Sequence, residues 1–175
     1  MQRIINREIE KTIDMKRLGQ IVPPYCVVRR YDNIRGKTLK EVMGKYTVLI
    51  LLWNIHSKQH RVLDKPGHFF VISTRNAPAE PCVVFSSTGM TPKKELFITQ
   101  SDPELLNRIL PKGTIYNNKK LQINNNSNTC WRYAILYAHF AKMGLKQFQT
   151  LFSRPHVHLN TADQLVTALT LMSLY

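Results

Sequence analysis

The sequence has few acidic residues, few cysteines and no long apolar run. Its 175 residues include only 11 Asp and Glu and three cysteines, Cys26, Cys82 and Cys130. Three cysteines do not make the framework of a disulfide-stabilised secreted protein, so we expect a reducing compartment. The longest apolar run, residues 48–53, is far too short to cross a bilayer, and no membrane contact is predicted. The cysteines and histidines lack the paired spacing of a zinc site, so neither a metal nor another required cofactor is predicted.

Positive charge, by contrast, is abundant. The chain has 25 Lys and Arg and a formal net charge of +14. Such an excess predicts contact with a polyanion, and nucleic acid is the first candidate. The basic residues are spread along the chain, however, and no helix-turn-helix, RNA-recognition or zinc-finger signature accompanies them. A generally basic surface explains the charge equally well.

Length and composition indicate one globular domain, residues 1–175, with 43% hydrophobic and 21% charged residues. Apolar and β-branched runs predict strands at residues 46–53, 68–74 and 82–86, and a short edge strand within 113–123. Capping signals and apolar spacing predict helices at residues 5–18, 38–44, 101–110 and 146–152, and a last helix after Thr161. Residues 54–67 and 87–92 are interpreted as loops. This order predicts an α+β fold with a mainly antiparallel sheet.

Residues 122–144 hold the feature around which the chain is organised. Ser127, Asn128 and Thr129 are good N-cap residues, so an apolar helix is predicted to begin at Cys130. A helix that is apolar around most of its circumference is usually buried. Its first turn favours a thiolate, and Arg132 would add a nearby positive charge. A free cysteine is nevertheless more often a buried structural thiol.

A nucleophilic cysteine needs an imidazole as its base. His68 is the best candidate, because it opens an apolar strand directly after Pro66 and Gly67, where rigid backbone can hold a side chain at the end of a sheet. Taken alone, such a histidine is more often a strand-end residue without a catalytic role. The other histidines are weaker candidates: His56 and His60 in a polar loop, His139 on the opposite side of the Cys130 helix, and His156 and His158, which stay open.

Several short motifs in a fixed order resemble those of a known family. They are Gly67-His68-Phe69, then Phe85-Ser86-Ser87-Thr88-Gly89, then Tyr116-Asn117-Asn118, Leu121-Gln122 and Ser127-Asn128-Thr129-Cys130. Together they cover about residues 46–145. The chain therefore resembles the adenovirus-type (adenain-like) cysteine proteases, most of all those of virophages and Maverick/Polinton elements. These belong to the same broad group as the SUMO-deconjugating proteases.

The resemblance implies a role for each matching residue. Cys130 would be the nucleophile, His68 its general base and later general acid, and Gln122 an oxyanion donor beside the Cys130 backbone N–H. The sequence departs from the family at two positions. Ser86 stands where the family has an acid, and Trp131 follows the cysteine where a glycine is usual. Either a Cys–His pair works with a weak orienting group, or another residue such as Asp64 or Asn54 supplies the acid's role.

The resemblance also implies a fold and a function. The fold would be the papain-like cysteine protease fold of the adenain type, with the Cys130 helix packed on the sheet. The function would be a viral cysteine endopeptidase, a monomer that cleaves capsid and other virion precursor proteins during maturation. DNA is a possible activator through the basic surface, and the virion and host cytoplasm are the expected sites of action. Two alternatives stay open: an isopeptidase that removes ubiquitin-like proteins, and a catalytically inactive nucleic-acid-binding virion protein.

Overall fold

The computed structural model describes residues 2–53, 67–74, 82–98, 101–123, 127–153, 159 and 161–174. Within these ranges the helices are α1 Gln2–Ile9, α2 Met15–Ile21, α3 Leu39–Met43, α4 Pro92–Ile98, α5 Glu104–Ile109, α6 Cys130–Phe140, α7 Leu145–Thr150 and α8 Ala162–Leu174. The strands are β1 Cys26–Arg30, β2 Val48–Trp53, β3 His68–Ser73, β4 Val83–Ser86 and β5 Ile115–Tyr116.

The strands form one five-stranded sheet in the order β1-β2-β3-β4-β5. The central strands β2, β3 and β4 pair antiparallel, as predicted, but β1 pairs with β2 and β5 with β4 in parallel. The α+β class is therefore confirmed, whereas a mainly antiparallel sheet describes only its centre. Strand β1 was not predicted, because it ends on two exposed arginines, Arg29 and Arg30, that break its apolar pattern.

Helices cover both faces of the sheet, and alternate strand residues belong to different cores. Those facing α6 include Ile50, Val71 and Phe85, which share a core with Tyr133 and Tyr137. Those facing the other way include Leu51, Phe70 and Val84, in a core with α4 and α5 residues such as Leu96 and Leu106. Burial on both faces explains why β2, β3 and β4 are continuous apolar runs.

The predicted helix at residues 5–18 is two helices, because the chain turns between α1 and α2. Asp14 begins α2 by accepting a hydrogen bond from the Arg17 N–H at 2.8 Å. The carbonyls left free at the end of α1 are taken by residues at the start of α6. Asn128 donates to the carbonyl oxygens of Ile9 and Glu10. Tertiary contacts with a distant segment therefore decide where α1 ends.

Two predicted capping signals have different outcomes. Thr38 and Glu41 form the predicted capping box at the start of α3. Ser101 and Glu104 do not form one, because α5 begins after Pro103 and the Glu104 N–H is satisfied by the Asp102 carboxylate at 3.0 Å. Asp102 lies closer to the first turn than Ser101 and is the better acceptor.

Candidate active site

Cys130 is the first residue of α6, as predicted, and it is buried with 8% of its surface exposed. The helix places its sulfur against the start of β3. There the thiol makes a long contact of 4.0 Å with the Gly67 carbonyl oxygen and lies beside the Phe69 backbone N–H. Sγ thus contacts the backbone on either side of His68.

The electrostatics of Cys130 combine two opposing effects. Burial dominates and raises the pKa of the thiol to about 11. The backbone N–H groups of Phe69, Trp131 and Cys130 itself act in the opposite direction and favour the thiolate. The helix start therefore acts as predicted, but desolvation outweighs it, and the resting residue is a neutral thiol.

His68 opens β3 and stacks on Trp53, with ring centroids 5.0 Å apart. Burial lowers the pKa of the imidazole to about 4, so the resting ring is neutral. Gly67 is required before it, because a Cβ there would lie 2.0 Å from the Trp53 carbonyl oxygen. No hydrogen bond joins the described side chains of His68 and Cys130. Catalytic hydrogen bonds are often long or poorly aligned until substrate binds.

Ser86 connects His68 to an acid that sequence reasoning missed. The Ser86 Oγ lies 3.1 Å from His68 Nε2 and donates its hydrogen bond to Glu95 Oε1 at 2.7 Å. Because the serine proton points to Glu95, the serine oxygen accepts the hydrogen bond from His68, and Nε2 carries the imidazole proton. Nδ1 is then the unprotonated nitrogen, which is the atom that a general base needs.

Glu95 lies on α4, directly after residues that were interpreted as a loop. Its side chain is buried, and its carboxylate lies 3.9 Å from His68 Nε2. Burial raises the pKa of Glu95 to about 7, although the Ser86 hydrogen bond favours the ionised form. A signal for α4 was present, since Thr91 caps the Lys94 N–H at 3.4 Å and Pro92 opens the helix. That signal predicts the helix but not the inward direction of Glu95.

Gln122 is hydrogen-bonded to Ser127, three residues before Cys130. Its amide donates to the Ser127 carbonyl oxygen at 2.9 Å and to Ser127 Oγ at 3.3 Å, and its oxygen accepts from Ser87 at 2.8 Å. Ser127 Oγ is 3.0 Å from Thr129, which donates to Asp163 at 2.7 Å instead of capping α6. The amide thus orders the turn before Cys130, and its role as an oxyanion donor stays a prediction.

Arg132 does not supply positive charge to the thiol, contrary to expectation. It is buried and bonds Glu8 Oε2 at 3.0 Å and Thr170 Oγ1 at 2.8 Å. Trp131, at the family's glycine position, donates its indole N–H to the Lys11 carbonyl at 2.9 Å. Both side chains therefore hold the N-terminal segment against α6.

Several predictions concern residues that the structure does not describe. Asp64 and Asn54, the suggested orienting groups, lie outside the described residues, and so do His56, His60, His156 and His158. His139 is exposed near the far end of α6, away from the start of the helix where Cys130 lies. The described ranges contain no group of three His, Cys, Asp or Glu side chains placed to bind a metal ion. Within the same ranges, each helix is too short or too polar to reach across a bilayer.

Comparisons with known proteins add little to this geometry. No family model and no curated protein matches the chain. Among solved structures, it is similar to the central domain of the uncharacterized Lpg1148 protein from Legionella pneumophila, with a TM-score of 0.43 and 13% identity over 95% of this chain and 100% of that one. A similarity of this size carries no argument about family or activity. The arrangement of Cys130, His68, Ser86 and Glu95 is therefore the basis for a functional assignment.

Proposed function

We propose that the protein is a cysteine endopeptidase of the adenain-like type that processes capsid and other virion precursor proteins. One observation carries the proposal: the sulfur of a cysteine at the start of a buried helix lies against the backbone on either side of a histidine whose Nε2 is hydrogen-bonded to Ser86 and, through it, linked to Glu95. This is the order of nucleophile, base and orienting group that acyl transfer requires.

The proposed reaction begins when substrate closes the site and the Cys130 thiol turns from the Gly67 carbonyl to His68. The S–H bond breaks as its proton moves to Nδ1, and the sulfur attacks the scissile carbonyl carbon. The backbone N–H groups beside Sγ stabilise the negative charge on the carbonyl oxygen, and the Gln122 amide joins them once it has left its hydrogen bonds to Ser127. His68 then gives its proton to the leaving amine, and water releases the acyl group by the reverse sequence.

Glu95 also bears on the alternative of an inactive protein. The serine at position 86 suggested that the third group of the site was missing. A carboxylate one hydrogen bond beyond this serine supports an active site instead. The choice of capsid precursors as substrates rests on the resemblance of the sequence motifs.

The test is incubation of the protein with capsid precursor from the same virus, with products identified by mass spectrometry. Wild type is expected to cleave, and Cys130→Ala and His68→Ala are expected to lose cleavage. Cys82→Ala is the matched control, because Cys82 is also buried but has no imidazole beside it among the described residues. Cleavage that survives Cys130→Ala contradicts the mechanism. Hydrolysis of a ubiquitin-like fusion with the precursor left intact would favour the isopeptidase.

A further inference from the structure

We propose that Glu95 is the positioning residue for His68 and acts through the Ser86 hydroxyl, so that a serine–glutamate relay replaces the single acid expected at position 86. The inference rests on the proposed function and adds a residue that the sequence motifs do not contain. Neither Glu95 nor α4 belongs to the matched motifs.

The hydrogen bonds around the Ser86 hydroxyl have a defined direction. A hydroxyl has one proton to donate and two lone pairs that accept. The Ser86 proton goes to Glu95 at 2.7 Å, which is short enough for a charge-assisted hydrogen bond. His68 at 3.1 Å and Thr88 at 3.0 Å are therefore left as donors to the serine oxygen. The relay thus selects one imidazole tautomer without any acid at position 86.

The Glu95 carboxylate also lies close enough to His68 to stabilise its protonated ring. Once His68 has taken the thiol proton, it is an imidazolium, and Glu95 Oε1 lies 3.9 Å from its Nε2. A carboxylate at that distance in a buried site attracts the positive ring strongly. A serine alone could orient the ring but could not offset its charge. Ser86 therefore orients the imidazole, and Glu95 supplies the negative charge.

Glu95 is on the inward face of α4. Helix α4 exposes Lys93, Lys94 and Phe97 to solvent, whereas Glu95 and Leu96 point inward. Glu95 is only 5% exposed. Burying an acidic side chain lowers the stability of a fold, so such a residue is rare unless it is paired or has a function. Buried acids with a displaced pKa beside a histidine are typical of functional sites.

The charge of Glu95 affects the protonation of two titratable groups among the described residues. His68 of β3 is the near one, and its protonated form is favoured by the Glu95 charge. Cys130 of α6 is farther along the site, where the same charge raises the thiol pKa but is the smallest of the causes. The net effect of an ionised Glu95 is to favour the thiolate–imidazolium pair, because the imidazolium is the closer charge.

The test measures the alkylation rate of Cys130 by iodoacetamide between pH 5 and 9, followed by peptide mass spectrometry, alongside cleavage of the capsid precursor. Glu95→Gln keeps the shape and a hydrogen-bond acceptor for Ser86 but removes the charge. We expect both rates to fall about a hundredfold at pH 8, where Glu95 is ionised. Glu104→Gln, an exposed glutamate at the start of α5, is the control and should change neither rate.

Rescue separates a positioning role from a structural one. In Ser86→Asp/Glu95→Gln, an acid contacts His68 directly and the new amide can donate to it. We expect recovery to within about tenfold of wild type, with the acid side of the pH profile moved to lower pH, because an aspartate in direct contact with an imidazolium titrates at lower pH than Glu95. No recovery in a folded double variant, or an unchanged rate in Glu95→Gln, overturns the relay.

The two readouts keep this inference distinct from the endopeptidase assignment. If wild type cleaves no precursor but alkylation falls in Glu95→Gln and recovers in the double variant, the relay stands and the assigned substrate is wrong. If wild type cleaves and Glu95→Gln changes neither rate, the relay alone is wrong.

Discussion

Removal of the Glu95 charge should stabilise the protein, and the gain should depend on pH. The pKa of Glu95 rises to about 7 in the folded protein, where burial is the main cause. An acid whose pKa is raised by folding stabilises the fold while it is protonated, and that stability is lost as the pH rises through the folded pKa. Relative to an ordinary glutamate, the buried charge then costs about 3 kcal/mol at pH 8 and about 1 kcal/mol at pH 5. Glutamine cannot ionise, so Glu95→Gln escapes this cost.

The assay is urea unfolding of wild type and Glu95→Gln at several values between pH 5 and 8, with the free energy of unfolding taken from the linear extrapolation. The difference between the two proteins should widen by about 2 to 3 kcal/mol over this range. His68 also titrates over this range, because burial lowers its pKa, and its contribution to stability is lost as the pH falls. Because Glu95 lies 3.9 Å from His68 Nε2, the two proteins are also compared in a His68→Asn background, where this contribution is absent. Glu104→Gln, which removes an exposed carboxylate at the start of α5, is the matched control. A difference that stays constant with pH would refute a raised pKa of Glu95 in the folded protein.

Two further predictions concern the oxyanion donor and the basic surface. Gln122→Ala should lower kcat for precursor cleavage about a hundredfold and leave Cys130 alkylation by iodoacetamide unchanged, because alkylation develops no oxyanion. Equal losses in both assays would mean that Gln122 only orders the turn at Ser127, to which its amide is bonded. With a net charge of +14, the protein should bind a labelled DNA duplex at low salt. Six phosphate contacts would weaken affinity about a thousandfold between 50 and 200 mM salt. Fluorescence anisotropy measures the affinity at each salt concentration. Undetectable binding at low salt would rule out DNA as an activator.

The part of the fold that the sequence predicts well is decided by local signals. Strands β2, β3 and β4 are runs of β-branched and aliphatic residues, and α6 begins where polar N-cap candidates give way to an apolar helix. The Thr38 capping box and the Thr161 cap at the start of α8 are equally local, and both are present. In each case the residues that determine the element lie within it or beside it.

The parts that sequence reasoning missed depend on distant residues. The break after α1 exists because Asn128 takes the carbonyls of Ile9 and Glu10. The sequence places the expected orienting group at position 86 or at residues such as Asp64 and Asn54, whereas the acid that is hydrogen-bonded to Ser86 lies on α4, a seven-residue helix whose two lysines give it a polar pattern. No spacing rule relates Ser86 to Glu95, because their contact depends on how α4 packs over the sheet.

The contacts of the N-terminal segment have a consequence for the order of folding. Three side chains at the start of α6 donate hydrogen bonds to the N-terminal segment across sequence separations of 118 to 124 residues. The pairs are Arg132 with Glu8, Asn128 with Glu10, and Trp131 with Lys11. Closing so long a loop costs entropy that is recovered only when most of the chain is available, so these contacts form late. During synthesis, the start of α6 therefore gains its contacts with the N-terminal segment only after the ribosome has released residues far beyond His68. A nascent chain thus gains its cysteine site only when nearly all of this domain has been made.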